Sequence, residues 1–137
     1  MDDKIRYWVD IAEYDLATAE AMLTTGRYLY FGFMCHQTIE KILKAHYQLL
    51  KEKIPPKTHN ILFLLKKTAL FDSLSDRQKA FMEMLLPMNI ESRYPDYRER
   101  LFKSLDGEKC SEILRETREM QAWIKEKLKE KQDVMQA

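Results

Sequence analysis

The chain reads as an all-α protein: an antiparallel four-helix up-and-down bundle with a short extra helix. Three observations carry that expectation. Glycine and proline are scarce, three and four in 137 residues, while Leu, Lys, Glu, Met and Ala are plentiful, so helix is the default backbone state. Apolar residues recur at alternating steps of three and four through most of the chain. The helix-breaking residues are confined to a few points, chiefly Gly26, Pro55-Pro56, Pro87 and Pro95. The length fits one core and no composition block suggests a second. The expectation is therefore one domain over 1–137, with its body at about 3–131 and the last residues frayed.

A first helix is expected from Asp3 to Thr25, closed by Gly26 as its C′ residue. Ile5, Trp8, Ala12, Asp15, Ala19 and Met22 form its bundle-facing stripe, with Val9, Leu16 and Leu23 beside it. Asp15 stands in the middle of that stripe, and a buried carboxylate needs a partner. It either makes a structural bond to a neighbouring helix or orients a basic residue of a ligand site. A second helix runs from Tyr28 to Lys51, with Phe31, Cys35, Ile39, Ile42, His46 and Leu49 as its core stripe. On its other side His36, Glu40 and Lys44 recur every four residues, with Gln37 and Lys41 adjacent. The plain reading is a solvated polar face carrying a Glu40–Lys44 ion pair. Phe33 and Tyr47 on the same side argue that this face too is covered.

Thr58 is positioned to cap a short helix from His59 to Lys67. Ser75-Asp76-Arg77-Gln78 has the form of a capping box and opens a helix to Leu86. A last long helix from Asp106 to Lys131 places Cys110, Ile113, Leu114, Thr117, Met120, Ile124 and Leu128 on one face.

Composition excludes several classes of function. The formal net charge of +1 argues against coating nucleic acid by bulk charge, so a nucleotide or RNA site has to be local. Cys35 and Cys110 have no metal-ligand spacing and fall on apolar faces, as expected of buried thiols in a reducing cytoplasm. No run approaches the roughly 18 apolar residues of a membrane span. The three histidines form no local ligand pair and the three glycines form no phosphate loop, so neither a metal nor another cofactor is expected.

What remains is the stretch Ile90-Glu91-Ser92-Arg93-Tyr94-Pro95-Asp96-Tyr97-Arg98. Arg93, Arg98, Arg100 and Lys103 are interleaved with Tyr94, Tyr97 and Phe102. Guanidinium forks bind phosphate and tyrosine rings stack on bases, the chemistry of a small nucleotide or single-stranded RNA site. Glu91, Asp96 and Glu99 dilute the charge, so internal pairing is the competing reading, with Arg93 bonded to helix carbonyls or to Asp15.

Together with Cys35-His36-Gln37-Thr38-Ile39-Glu40-Lys41-Ile42-Leu43-Lys44 and Thr58-His59, this segment resembles the HEPN domain family of prokaryotic helical proteins, from about Trp8 to Leu128. That family shows a Gln-rich helix ending in Glu-Lys-x-x-Lys, a Thr-His step, then Arg-Tyr-Pro-Asp. The resemblance implies a homodimeric bundle, and two kinds of activity. Members that are RNA-cleaving toxins pair an Arg with a His about four to six positions later. Here Arg93 fits the first place, but positions 97 to 99 are Tyr, Arg and Glu, and no histidine follows His59. Other members partner small nucleotidyltransferases within toxin–antitoxin-like systems. The resulting expectation is a nucleotide-binding or nucleotidyltransferase-partner module with little or no catalysis. Its candidate binding residues are Arg93, Tyr94, Asp96, Lys41, Lys44 and His59, with Asp15 and Glu40 as orienting groups. The rivals are a metal-independent endoribonuclease acting on single-stranded RNA, with His36 or His59 as its base, and a purely structural interaction module.

Overall fold

The computed structural model describes residues 2–91, 96, 99–100 and 105–137. Its main helices are α1 (Asp3–Thr24), α2 (Phe31–Lys51), α3 (Ile61–Lys67), α4 (Asp76–Leu85), α5 (Met88–Glu91) and α6 (Gly107–Gln136), with a 3₁₀ turn at Phe71–Ser73. Among the described residues there is no strand, and the helices form an all-α bundle.

Local chemistry sets most helix ends. Asp2 caps α1, its carboxylate accepting from the Lys4 N–H at 2.7 Å. The Ser75–Gln78 capping box closes at the start of α4 in both directions, at 3.1 and 2.9 Å. Asp106 caps α6 through the Lys109 N–H at 2.8 Å. Three expected ends move. α2 begins at Phe31, because residues 28–31 close a turn, Phe31 N–H to Tyr28 C=O, before the helix proper. α3 begins at Ile61, because Asn60 supplies the cap to Phe63 N–H at 3.0 Å while the Thr58 hydroxyl closes only on Asn60 N–H. That leaves His59 in the connecting loop. α6 runs past Lys131 to Gln136, since its Lys, Glu and Gln residues sustain a helix beyond the last core residue, Leu128.

The second helix is the axis of the fold: α1, α3, α4, α5 and α6 all pack on it. Its expected core stripe is buried throughout. So are His36, Gln37, Glu40 and Lys44 on the other side, which corrects the reading of that side as a solvated face. The cover comes from α1 and from the loop before α3. On α1, Ile5, Val9, Ala12 and Ala19 are fully enclosed. The small Ala12 lets the helices approach until the Thr38 hydroxyl donates to its carbonyl. Asp15 lies at the half-buried edge of the stripe, since Val9 and Leu16 share the inward direction.

Two helices end in the same hydrogen-bond pattern with different residues. After α1, Gly26 N–H reaches Leu23 C=O and Arg27 N–H reaches Met22 C=O, with Gly26 at φ +71°. After α3, Ala69 N–H reaches Lys66 C=O and Leu70 N–H reaches Leu65 C=O, with Ala69 at φ +59°. The left-handed region costs an L-residue about 1 kcal/mol that glycine avoids. Gly26→Ala is expected to destabilise the protein by about 1 kcal/mol and Ala69→Gly to stabilise it by about 0.5–1 kcal/mol. Urea denaturation of the two variants beside the wild type checks both signs.

Candidate functional site

Residues 36, 37, 40, 41 and 44 share one side of α2 because they are spaced by three and four. Glu40 lies at their centre, fully buried. His59, from the loop before α3, donates its Nδ1–H to Glu40 Oε1 at 2.8 Å. The other oxygen, Oε2, accepts from Lys44 Nζ at 3.0 Å and from Lys41 Nζ at 3.1 Å. His36 Nδ1 stands 3.8 Å from Oε1. The network extends sideways: Lys41 also donates to Gln37 Oε1 at 2.6 Å, and Gln37 Nε2 donates to Asn89 Oδ1 at 3.3 Å. Lys44 reaches α1 as well, its ammonium 5.6 Å from the centre of the Trp8 ring. Three helices and one loop are therefore joined in a network centred on a single carboxylate.

Electrostatics follow from this geometry. Burial alone would push the Glu40 carboxyl up. The His59 hydrogen bond and the charges of Lys41 and Lys44 outweigh it and hold the carboxyl below its ordinary value. Glu40 is thus a carboxylate at neutral pH, and His59 keeps its proton on Nδ1 and presents Nε2 outward. Burial is also the main influence on Asp15, raising its carboxyl against the lowering effect of Lys41, with Glu40 adding to the rise. His36 is pushed down to about 4, chiefly by burial, against the raising effects of Glu40 and of the His59 backbone.

The expected residues Lys41, Lys44, His59 and Glu40 are brought together, and Asp15 borders them, within reach of the Lys41 charge. Solvent reaches only part of the cluster: the side chain of His59 is 54% exposed, that of Lys41 19% and that of Lys44 8%. Asp96 is exposed. Arg93 and Tyr94 lie outside the described residues. Two members escaped the sequence reading. Asn89 carried one signal, a lone amide in the apolar run Leu85-Leu86-Pro87-Met88-Asn89-Ile90. Trp8 looked like ordinary core, and its contact with Lys44 is tertiary.

Thiol chemistry has no footing here. Cys35 and Cys110 are both buried, and burial pushes their thiols up to about 12 and about 11. Among the described residues no three His, Cys, Asp or Glu side chains are placed to hold a metal ion, and no helix is long and apolar enough to cross a membrane.

A helical bundle with a Glu-Lys-x-x-Lys helix joined to a Thr-His loop defines a class, and comparison with known proteins identifies it. The HEPN domain family model matches residues 5–128, and the chain belongs to that family. The fold is also that of the crystal structure of TT1696 from Thermus thermophilus, with a TM-score of 0.76 at 23% identity. The match covers 92% of this chain and 99% of that one. No curated protein matches the sequence.

The buried ionisable groups make stability depend on pH. His36 and His46 both have folded values near 4 against 6.5 when unfolded. Between these values the unfolded chain takes up protons that the folded chain excludes, and stability falls as the pH drops. Each imidazole contributes a slope of up to about 1.4 kcal/mol per pH unit. Glu40 has the depressed value typical of a paired carboxylate. Its contribution is full above 4.5 and is lost as the pH falls further, toward its lower folded value. Urea midpoints should therefore decline from pH 7 to pH 4.5, and His36→Met should remove about half of that decline.

Proposed function

We propose that this protein is a homodimeric nucleotide-binding HEPN module. It would act as partner to a small nucleotidyltransferase in a toxin–antitoxin-like system, with little or no catalysis of its own. The observation that supports this reading most directly is the full burial of Glu40 with His59, Lys41 and Lys44 held on it at 2.8–3.1 Å. A buried carboxylate holding several cationic or N–H-bearing side chains fixes their positions before any ligand arrives, which lowers the ordering cost of binding. Of these groups, His59 and Lys41 reach solvent: the remaining N–H of Lys41 suits a phosphate oxygen, and the free ring nitrogen of His59 suits a sugar or base donor. Gln37 ties the site to Asn89, and Arg93 follows four residues later in the chain. In this reading Arg93 supplies a second phosphate fork, Tyr94 stacks on the base, and Asp96 accepts from sugar or base donors. Glu40 and Asp15 orient the basic groups.

Calorimetric titration with ATP and AMP tests this. Wild type should bind, and His59→Ala and Arg93→Ala should each weaken affinity about tenfold. Arg93→Ala should leave the melting temperature within a few degrees, whereas His59→Ala should also lower it, because Glu40 loses a donor. Unchanged affinity in both variants removes the residue assignment.

One observation favours a second reading, metal-independent cleavage of single-stranded RNA. The Glu40–His59 pair has the carboxylate–imidazole arrangement that sets a histidine's tautomer for proton transfer. His59 Nε2 would take the proton of a ribose 2′-OH. The 2′-oxygen would then attack phosphorus and the bond to the 5′-oxygen would break. That oxygen would take a proton from water while the resulting hydroxide recovers the proton from His59, leaving a 2′,3′-cyclic phosphate and a 5′-OH. Labelled RNA incubated in chelator decides between the two. Cyclic-phosphate ends produced by wild type and absent with His59→Ala establish the enzyme, and intact RNA with both leaves the binding module.

A further inference from the structure

Another side of α2 carries a second polar anomaly. His46 lies six residues beyond Glu40, about 9 Å further along the helix and turned by about 240° from it. It is 3% exposed, and its Nδ1 has no hydrogen-bond partner among the described residues. An imidazole enclosed this far normally satisfies its nitrogens. This one lines a cavity of about 340 Å³ formed by the end of α2, the turn after α3 and the C-terminal part of α6. That volume falls within the range of small-molecule sites, roughly 300–1,000 Å³.

The lining has a definite chemical character. Leu50, Leu70 and Val134 supply apolar surface. Thr68 offers no free hydroxyl hydrogen, since its Oγ1–H is directed at the Leu64 and Leu65 carbonyls at 2.8 and 3.1 Å. Lys127 and Glu130 stand 3.6 Å apart and offset one another. Lys131 has no carboxylate partner among the described residues. One ammonium thus stays uncompensated beside a nearly enclosed imidazole and an apolar wall.

We propose that this cavity binds a small organic monoanion, a carboxylate with a short apolar tail, between Lys131 and His46. The carboxylate has two oxygens, one for the ammonium and one for the imidazole Nε2–H, since Nδ1 is sealed from solvent, and the tail lies on Leu50, Leu70 and Val134. A single negative charge matches the one unpaired lysine, whereas a phosphate dianion would bring a second charge that nothing in the lining balances. Burial and the Lys131 charge push His46 down to about 4, so at neutral pH it is an uncharged donor that an anion can approach beside Lys131.

The test titrates the whole protein, with ¹³C-labelled histidine, with hexanoate, hexanol and inorganic phosphate. Hexanoate should shift the His46 ring resonances saturably, with a Kd on the order of millimolar. Hexanol and inorganic phosphate should each bind about tenfold more weakly or not at all. Lys131→Met should raise the hexanoate Kd about tenfold and Lys131→Arg should largely preserve it. Both variants are at a helix position outside the core, and unchanged melting temperatures show that a lost response is lost binding. No saturable shift, a shift that survives Lys131→Met, or hexanol binding as tightly as hexanoate overturns the proposal.

Discussion

The burial of one carboxylate organises this side of the bundle. Removing an ionised Glu from water costs several kcal/mol unless the protein replaces the lost hydration with well-placed donors. Glu40 receives three such donors, two from its own helix and one from the loop before α3. The dependence runs both ways. Lys44 is itself nearly enclosed, and without Glu40 it would be a buried cation with only the Trp8 ring beside it. His59 would lose the hydrogen bond that holds its half-exposed side chain against α2. A network of this kind is stable when every member is paired, and each missing partner is costly.

The same constraint makes α2 more than a core helix. A helix buried around most of its circumference usually carries apolar residues on every side. This one carries His36, Gln37, Glu40, Lys44 and His46 inside the bundle, and its neighbours are adapted to them. On α5 the approach is so close that a Cβ on Gly32 would meet the Met88 sulfur at 2.6 Å. That contact and the Gln37–Asn89 bond seat α5 on α2. α5 is therefore fixed beside the Glu40 cluster. Surface ion pairs between helices, such as Arg77–Glu116, are exposed and contribute little by comparison.

Much of the local structure could be read from the chain because short-range chemistry decides it. The Ser75–Gln78 capping box, the left-handed Gly26 and the six-residue stripe of α2 are consequences of residues a few positions apart. The misplaced ends have the same origin. Thr58 and Asn60 are both good caps within three residues, and sequence preference alone does not rank them in context. The candidate site was legible as a set of residue types: Glu40, Lys41, Lys44 and His59 belonged to recognisable motifs. Asn89 and Trp8 were not, because each joins the cluster across a helix interface.

What the amino-acid order determined by itself is which residues share a helix face and where helices begin and end, since a 3.6-residue period and a cap are local properties. Whether a face meets water or protein is not local. Glu40 and Lys44 at a spacing of four are an ordinary surface pair in an exposed helix and a costly, high-stakes pair in a buried one. Only the tertiary packing of α1 and the 52–60 loop over α2 decided between these. The dielectric around a charge is set by whatever packs against it, and that information lies far away along the chain.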